Sequence, residues 1–218
     1  MNISDYINVD LKPLHLESRI QDVKKAFKKD KHTHLPVISD NYWQGLLPNE
    51  DLTEFDDSKT LADLAYLFEH FFVKSTTNWL DVMGAFVQNE TDIMPVVNDQ
   101  NYYMGYYALE DVLEVFYDTP FLKEPGNILV VSHNLKDYAM SQICQIVESN
   151  DAKLLGCFVT RHVDERIEVT IKTSQSAINP MLQTFRRYGY EVESEHDEDK
   201  LRSNLKERSE YLKKYLNI

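Results

Sequence analysis

The sequence predicts an α/β protein made of two β-α-β-β-α repeats followed by a β-α-β-β-α-β unit. Three observations lead there. First, the apolar proline segment Leu35-Pro36-Val37-Ile38 recurs 59 residues later as Met94-Pro95-Val96-Val97. Second, the match continues on both sides: Asp22-Val23 and Ala26-Phe27 answer to Asp81-Val82 and Ala85-Phe86 at the same offset, and Gly45 and Asp51 answer to Gly105 and Asp111 at an offset of 60. A period above about 50 residues marks a duplicated unit, and the growth by one residue between Pro36 and Gly45 marks an insertion in a hairpin. Third, Pro120, Pro125 and Gly126 fall among charges after Tyr117, which is linker composition, and the apolar runs beyond them follow a different order.

Each repeat opens with a short amphipathic segment around an aspartate, residues 3–7 and 61–65. From Ser18 to Lys29, Ile20, Val23, Ala26 and Phe27 recur at helical spacing while Lys24, Lys25, Lys28 and Lys29 face away, which is a surface helix with Ser18 as its expected N-cap. Its counterpart begins at Thr77 and carries Trp79, Val82, Ala85 and Phe86 inward. Residues 34–39 are too short for a helix and β-branched beyond the proline, so they form a strand. Asp40-Asn41 turns the chain, residues 42–47 return as the partner strand, and a short helix begins within Asn49-Glu50-Asp51-Leu52. The tyrosines at 102, 103, 106 and 107 run through the second strand pair and suit a core or a dimer face.

Beyond the linker, residues 128–131 form a strand, 138–149 a helix, 154–160 and 166–172 two strands, 177–188 a helix closed by Gly189, and 190–192 a last strand. That order is the split unit of a ferredoxin-like domain. Residues 197–218 place Leu201, Leu205, Leu212 and Leu216 near a helical stripe, an amphipathic C-terminal helix. The expected domains are therefore a repeat pair at 1–117 (about 1–57 and 58–117), a linker at 118–126, a second domain at 127–196 and the terminal helix.

The formal net charge of −13 argues against sequence-blind nucleic-acid binding, which needs Lys and Arg to neutralise phosphates, and against anionic membrane surfaces. No stretch approaches 18 uncharged apolar residues, and the start lacks a basic segment followed by an apolar one. Two cysteines, Cys144 and Cys157, are too few for a disulfide framework, so a cytoplasmic location is expected. No Gly-rich phosphate loop, nucleophile elbow or His-Glu-x-x-His motif occurs, and the chain is not expected to be an enzyme.

The doubled frame Gly45-Leu46-Leu47-Pro48-Asn49-Glu50-Asp51 and Gly105-Tyr106-Tyr107-Ala108-Leu109-Glu110-Asp111, each behind a proline strand, resembles the cystathionine-β-synthase (CBS) motif, two of which make a CBS pair. The following segment looks like an ACT-type regulatory domain, and the combination resembles the acetoin-utilisation proteins of bacteria. The resemblance implies a non-catalytic sensor without a cofactor that binds an adenosine-containing regulator, such as AMP, ADP, ATP or S-adenosylmethionine, between the repeats. It also implies a homodimer that transmits occupancy to a regulated partner. Carried over, Asp51 and Asp111 are the ribose candidates, and His34 and Ile93, two residues before each proline, stand where the family's backbone meets adenine. The motif's usual Ser or Thr is replaced by Pro48 and Ala108, neither of which donates a side-chain hydrogen bond.

Alternatives accompany each of these residues. Asp51 and Asp111 equally suit the first turn of a helix, where a carboxylate satisfies exposed N–H groups. His32 and His34 share a strand face, but no third ligand is fixed, so no metal site is assigned. Ser132-His133-Asn134 is expected as the loop where ACT domains take small effectors, although the family's glycine is absent. Two other readings of function stay open: a scaffold with degenerate clefts, and an amino-acid-sensing ACT unit framed by the CBS pair.

Overall fold

The computed structural model describes residues 3–49 and 52–193 and divides the chain after Asp118 into two compact units. In the first unit, each repeat forms a three-stranded sheet of the same design. β1 (Leu14–His15) runs parallel to β2 (His34–Ser39), which pairs antiparallel with β3 (Tyr42–Pro48); β4 (Val73–Lys74), β5 (Ile93–Val97) and β6 (Tyr103–Ala108) repeat the pattern. The helix between the first two strands is α1 (Ile20–Asp30) in one repeat and α2 (Trp79–Gln88) in the other. The second repeat closes with α3 (Leu109–Tyr117), and the first with a 3-10 turn at Leu52–Glu54.

Two irregularities are duplicated as well. Val37 faces Gly45 and Ile38 faces Trp43, leaving Gln44 as a bulge; Val96 faces Gly105 and Val97 faces Tyr103, leaving Met104 as the same bulge. Between Ile38 and Trp43 the hairpin holds one residue fewer than between Val97 and Tyr103, which is where the repeat offset grows. Asp40 and Asn41, with φ of 50° and 66°, make the tighter turn.

The proline in the middle strand has a local explanation. Leu46, opposite Pro36, exchanges both backbone hydrogen bonds with Glu69, at 2.8 Å each way, so its polar groups point away from β2. Pro36 therefore sits in a non-hydrogen-bonded pair, and its missing N–H lies on the side of β1, whose pairing begins only at Val37. Pro95 is placed alike, opposite Tyr106, which exchanges bonds with Asn8 at 2.8 and 3.0 Å.

Those outward bonds define the topology. The 3-10 segment Ile3–Tyr6 belongs in sequence to the first repeat, but Ile3 is buried with Val82, Phe86, Met94 and Tyr107 of the second. The segment Leu61–Leu67 precedes the second repeat, yet Leu61 and Leu64 are buried with Ile20, Val23, Leu35 and Leu46 of the first. The two halves thus exchange their opening segments. The tyrosine-rich strand is mostly core: Tyr107 is inaccessible to solvent, Tyr106 nearly so, and Tyr103 stacks on Trp43 across the local two-fold, with Tyr102 and Tyr42 joined through their hydroxyls at 2.8 Å beside it.

In the second unit, β7 (Gly126–Asn134), β8 (Leu154–Val163), β9 (Arg166–Ser174) and β10 (Glu191–Val192) form one antiparallel sheet in the order β10-β7-β9-β8. Helices α5 (Met140–Glu148) and α6 (Ile178–Arg187) bury Ile143, Ile146, Val147, Met181, Leu182 and Phe185 against Leu129, Val131, Val169 and Ile171. The arrangement is ferredoxin-like, as its element order predicts.

The structure corrects several local expectations. Arg19, not Ser18, takes the N-cap position of α1, because the Ser18 hydroxyl accepts the His15 N–H at 3.1 Å. Asn78, not Thr77, caps α2 by accepting the Leu80 N–H at 2.9 Å, while Thr77 accepts that of Lys74. Residues 120–123 of the expected linker form the one-turn helix α4, which begins with Pro120 at a position needing no N–H. Ser132, His133 and Asn134 are not a loop but the end of β7, paired with Glu168, Ile167 and Arg166. The expected C-terminal helix lies outside the described residues.

Gly105 has a φ of +140°, and a Cβ there would overlap the Asn8 carbonyl oxygen and the Ile7 side chain. Gly105→Ala is expected to lower stability by about 1–3 kcal/mol in urea unfolding. Gly84→Ala, in the middle of α2 with nothing within 4 Å of the new methyl, should raise it by about 0.5–1 kcal/mol. Equal effects of the two substitutions would contradict the exchanged topology.

Candidate functional site

The duplication creates two equivalent clefts in the first unit, each bounded by the start of a middle strand, the end of its hairpin partner, an exchanged segment and the end of a helix. In one of them His34 opens β2 and is only 7% exposed. Its Nε2 lies 3.2 Å from Oε2 of Glu69, its Nδ1 2.9 Å from the Thr33 hydroxyl, and its ring meets that of Phe71 edge-on at 5.6 Å. With Pro48, Asn49, His70 and the helix end Gln88–Asn89–Glu90, these residues line a cavity of about 810 Å³. Thr33 is itself held: its hydroxyl donates to Asp92 Oδ1 at 2.6 Å, and its backbone N–H donates to the same oxygen at 2.9 Å.

In the counterpart cleft the chain's own groups bond to one another. Ile93 opens β5 opposite Ala108 and is wholly buried in the core. Asp111, in the first turn of α3, accepts a 2.6 Å hydrogen bond from the side-chain amide of Asn8. Tyr106 donates its hydroxyl to Asp10 at 2.9 Å, and burial together with that carboxylate pushes the phenol well above its ordinary range. His32 meets the Tyr106 ring edge-on at 6.0 Å and places Nδ1 2.9 Å from Asp92.

Of the residues named from sequence, His34 thus lines the open cavity, Ile93 is core, and Asp111 is engaged by Asn8. Asp51 lies outside the described residues. His32 and His34 turn to different carboxylates, and among the described residues no group of three or more His, Cys, Asp or Glu is placed to hold a metal ion. Glu69, His70 and Phe71 on one side, and Asn8 and Asp10 on the other, escape sequence reasoning because they enter through the exchanged segments. The one trace in the sequence is the pair of glycines, whose missing side chains leave room for those segments.

With this geometry in hand, the comparisons with known proteins are informative about fold. A CBS domain pair/ACT domain protein from Thermotoga maritima aligns with a TM-score of 0.50 at 17% identity, over 54% of this chain and 98% of that one. The shared fold is that of a CBS-domain pair. No family model matches the chain. Stretches of 114 and 108 residues are 27% and 28% identical to β-galactosidase LacA of Lactobacillus acidophilus and hemolysin C of Brachyspira hyodysenteriae, covering 51% and 49% of this chain. The chain spans only 17% and 40% of those two proteins, so neither activity is carried over. Among the described residues no helix is long and apolar enough to cross a membrane.

Asp92 ties the two repeats together at their local two-fold. Its burial alone would raise its pKa, but hydrogen bonds from Thr33 and His32 outweigh that and hold the carboxyl below its ordinary 3.8. A lowered carboxyl pKa stabilises the fold above the unfolded value and loses that stabilisation as pH falls through the folded one. Asp92→Asn is therefore expected to flatten the stability-against-pH curve below about pH 4, measured by urea midpoints, with the larger loss at neutral pH. A variant as acid-sensitive as the parent would contradict this account.

Proposed function

We propose that the chain is a non-catalytic regulatory protein that senses an adenine nucleotide or a related small metabolite through its CBS pair. The observation that carries this reading is the open cavity beside His34, in a fold whose sequence motif resembles that of adenosine-binding pairs. Phe71 offers a ring face or edge to a base, and the start of β2 offers backbone groups. The cavity, about 810 Å³, falls within the range of small-molecule sites, about 300–1,000 Å³. In this reading the cleft beside His34 takes the ligand, because in the second cleft Asn8 and Asp10 already engage Asp111 and Tyr106. Titration calorimetry of the full chain with adenosine, AMP, ATP and S-adenosylmethionine should give saturable heat with at least one of them at a stoichiometry near one. Silence with all four at millimolar levels would leave the scaffold reading, which the engagement of Asp111 by Asn8 and the absent motif hydroxyls favour.

The regulatory reading includes a homodimer, supported by an asymmetry between equivalent helices. Leu80, Gly84 and Val87 line the exposed face of α2, where the equivalent positions of α1 are Gln21, Lys25 and Lys28. An apolar stripe left in water beside a solvated twin is the mark of a covered surface. Leu80→Glu with Val87→Glu is expected to convert a dimer to a monomer in sedimentation velocity, and an unchanged mass would refute this interface.

A further inference from the structure

The chain has two cysteines, and the fold of the second unit brings them together. Met140 and Cys144 stand one turn apart in the first half of α5, so their side chains leave the same face of the helix. Cys157 lies on β8 opposite Ile171, a residue of the core beneath the helices, and so faces α5. Its thiol donates to the Met140 sulfur at 3.4 Å and shares a further hydrogen bond with the Cys144 thiol. Burial, with the Cys144 thiol beside it, pushes the Cys157 thiol above its ordinary range. A thiol kept protonated is a slow nucleophile, which disfavours disulfide chemistry, but a metal ion that binds sulfur displaces the proton. All three residues remain partly exposed, so the cluster is reached from solvent.

The donor set decides the class of ion. Two thiolates and a thioether are soft ligands, the kind that select Cu(I). A structural zinc site needs four nitrogen, oxygen or thiolate ligands, and among the described residues no three such side chains gather to hold one. Metal–sulfur bonds of about 2.3 Å in a trigonal plane set their sulfurs about 4 Å apart, so the Cys157–Met140 contact needs to open by only about 0.6 Å. We infer that Met140, Cys144 and Cys157 form a binding site for a soft monovalent metal ion, Cu(I), held in a plane of three sulfurs. Each thiol releases its proton to solvent as the ion binds. The site belongs to the second unit and does not rest on the nucleotide reading of the first.

Anaerobic competition for Cu(I) tests this, with the reduced full-length protein set against bicinchoninate, a coloured chelator of that ion. The protein is expected to withdraw one equivalent of Cu(I) per chain, and X-ray absorption should find three sulfur neighbours at about 2.3 Å. Cys144→Ser and Cys157→Ser should each abolish the withdrawal. Met140→Leu, which nearly conserves volume, should weaken it by about 10–100-fold, the range that losing even a supporting group costs a metal site. Circular dichroism checks that all three variants fold. No withdrawal of Cu(I) by the parent, tighter retention of Zn(II) than of Cu(I), or undiminished withdrawal by Met140→Leu overturns the three-sulfur site. Withdrawal that persists in the double variant Cys144→Ser, Cys157→Ser places the ion elsewhere in the chain and overturns it equally.

Discussion

The feature on which the first unit depends is a pair of close backbone contacts, Leu46 with Glu69 and Tyr106 with Asn8, in which each repeat completes itself with a segment from the other half. Both partners of each bond are main-chain groups, so the contact requires the exchanged segment to pass directly over the strand. Gly45 and Gly105 make that possible. A Cβ on Gly45 would stand 2.8 Å from that of Phe68, inside any allowed separation. The glycine of the motif is thus a statement about backbone approach rather than about a ligand. The proline one strand away obeys the same constraint, because the strand bonds that point outward to the exchanged segment are those a proline opposite does not need.

From this exchange follow the two clefts and their different fates. The exchanged segment supplies one wall of each, so the chemistry of a cleft is set by residues that lie in the other half of the sequence. Where the segment is Glu69-His70-Phe71, the wall carries an acid, an imidazole and a phenyl ring, and space remains. Where it is Asn8-Val9-Asp10, Asn8 and Asp10 reach across to Asp111 and Tyr106. Burying Tyr106 beside Asp10 keeps the phenol protonated and donating, which reinforces that contact.

Much of this architecture was legible in the sequence because it depends on period and on residues with special backbones. The repeat, the hairpin insertion, the two glycines and the ferredoxin-like order of the second unit are consequences of apolar spacing, Gly, Pro and turn residues. Helix starts were less legible. Ser18 and Thr77 have good capping chemistry, but each spends its hydroxyl on the turn before the helix, and the cap moves one residue on. The loop expected after Val131 was misread because Ser132, His133 and Asn134 lack β-branching, and pairing with β9 overrides that weak preference. Asp111 has the residue type and position of a ribose acceptor, and only three-dimensional structure reveals that Asn8, 103 residues away, already occupies it.

The loss of the motif hydroxyls gains a physical meaning from this arrangement. Pro48 pairs with His34 at the strand end, and the next residue, Asn49, gives its backbone N–H to the Thr33 carbonyl at 2.7 Å. The neighbouring hydroxyl, that of Thr33, is committed to Asp92. Among the described residues, the strand side of the open cleft therefore presents no uncommitted side-chain hydroxyl. Beside Thr33, His34 and Asn49 of the strand wall, the polar groups lining the cavity, Glu69, His70, Gln88, Asn89 and Glu90, come from the exchanged segment and the end of α2.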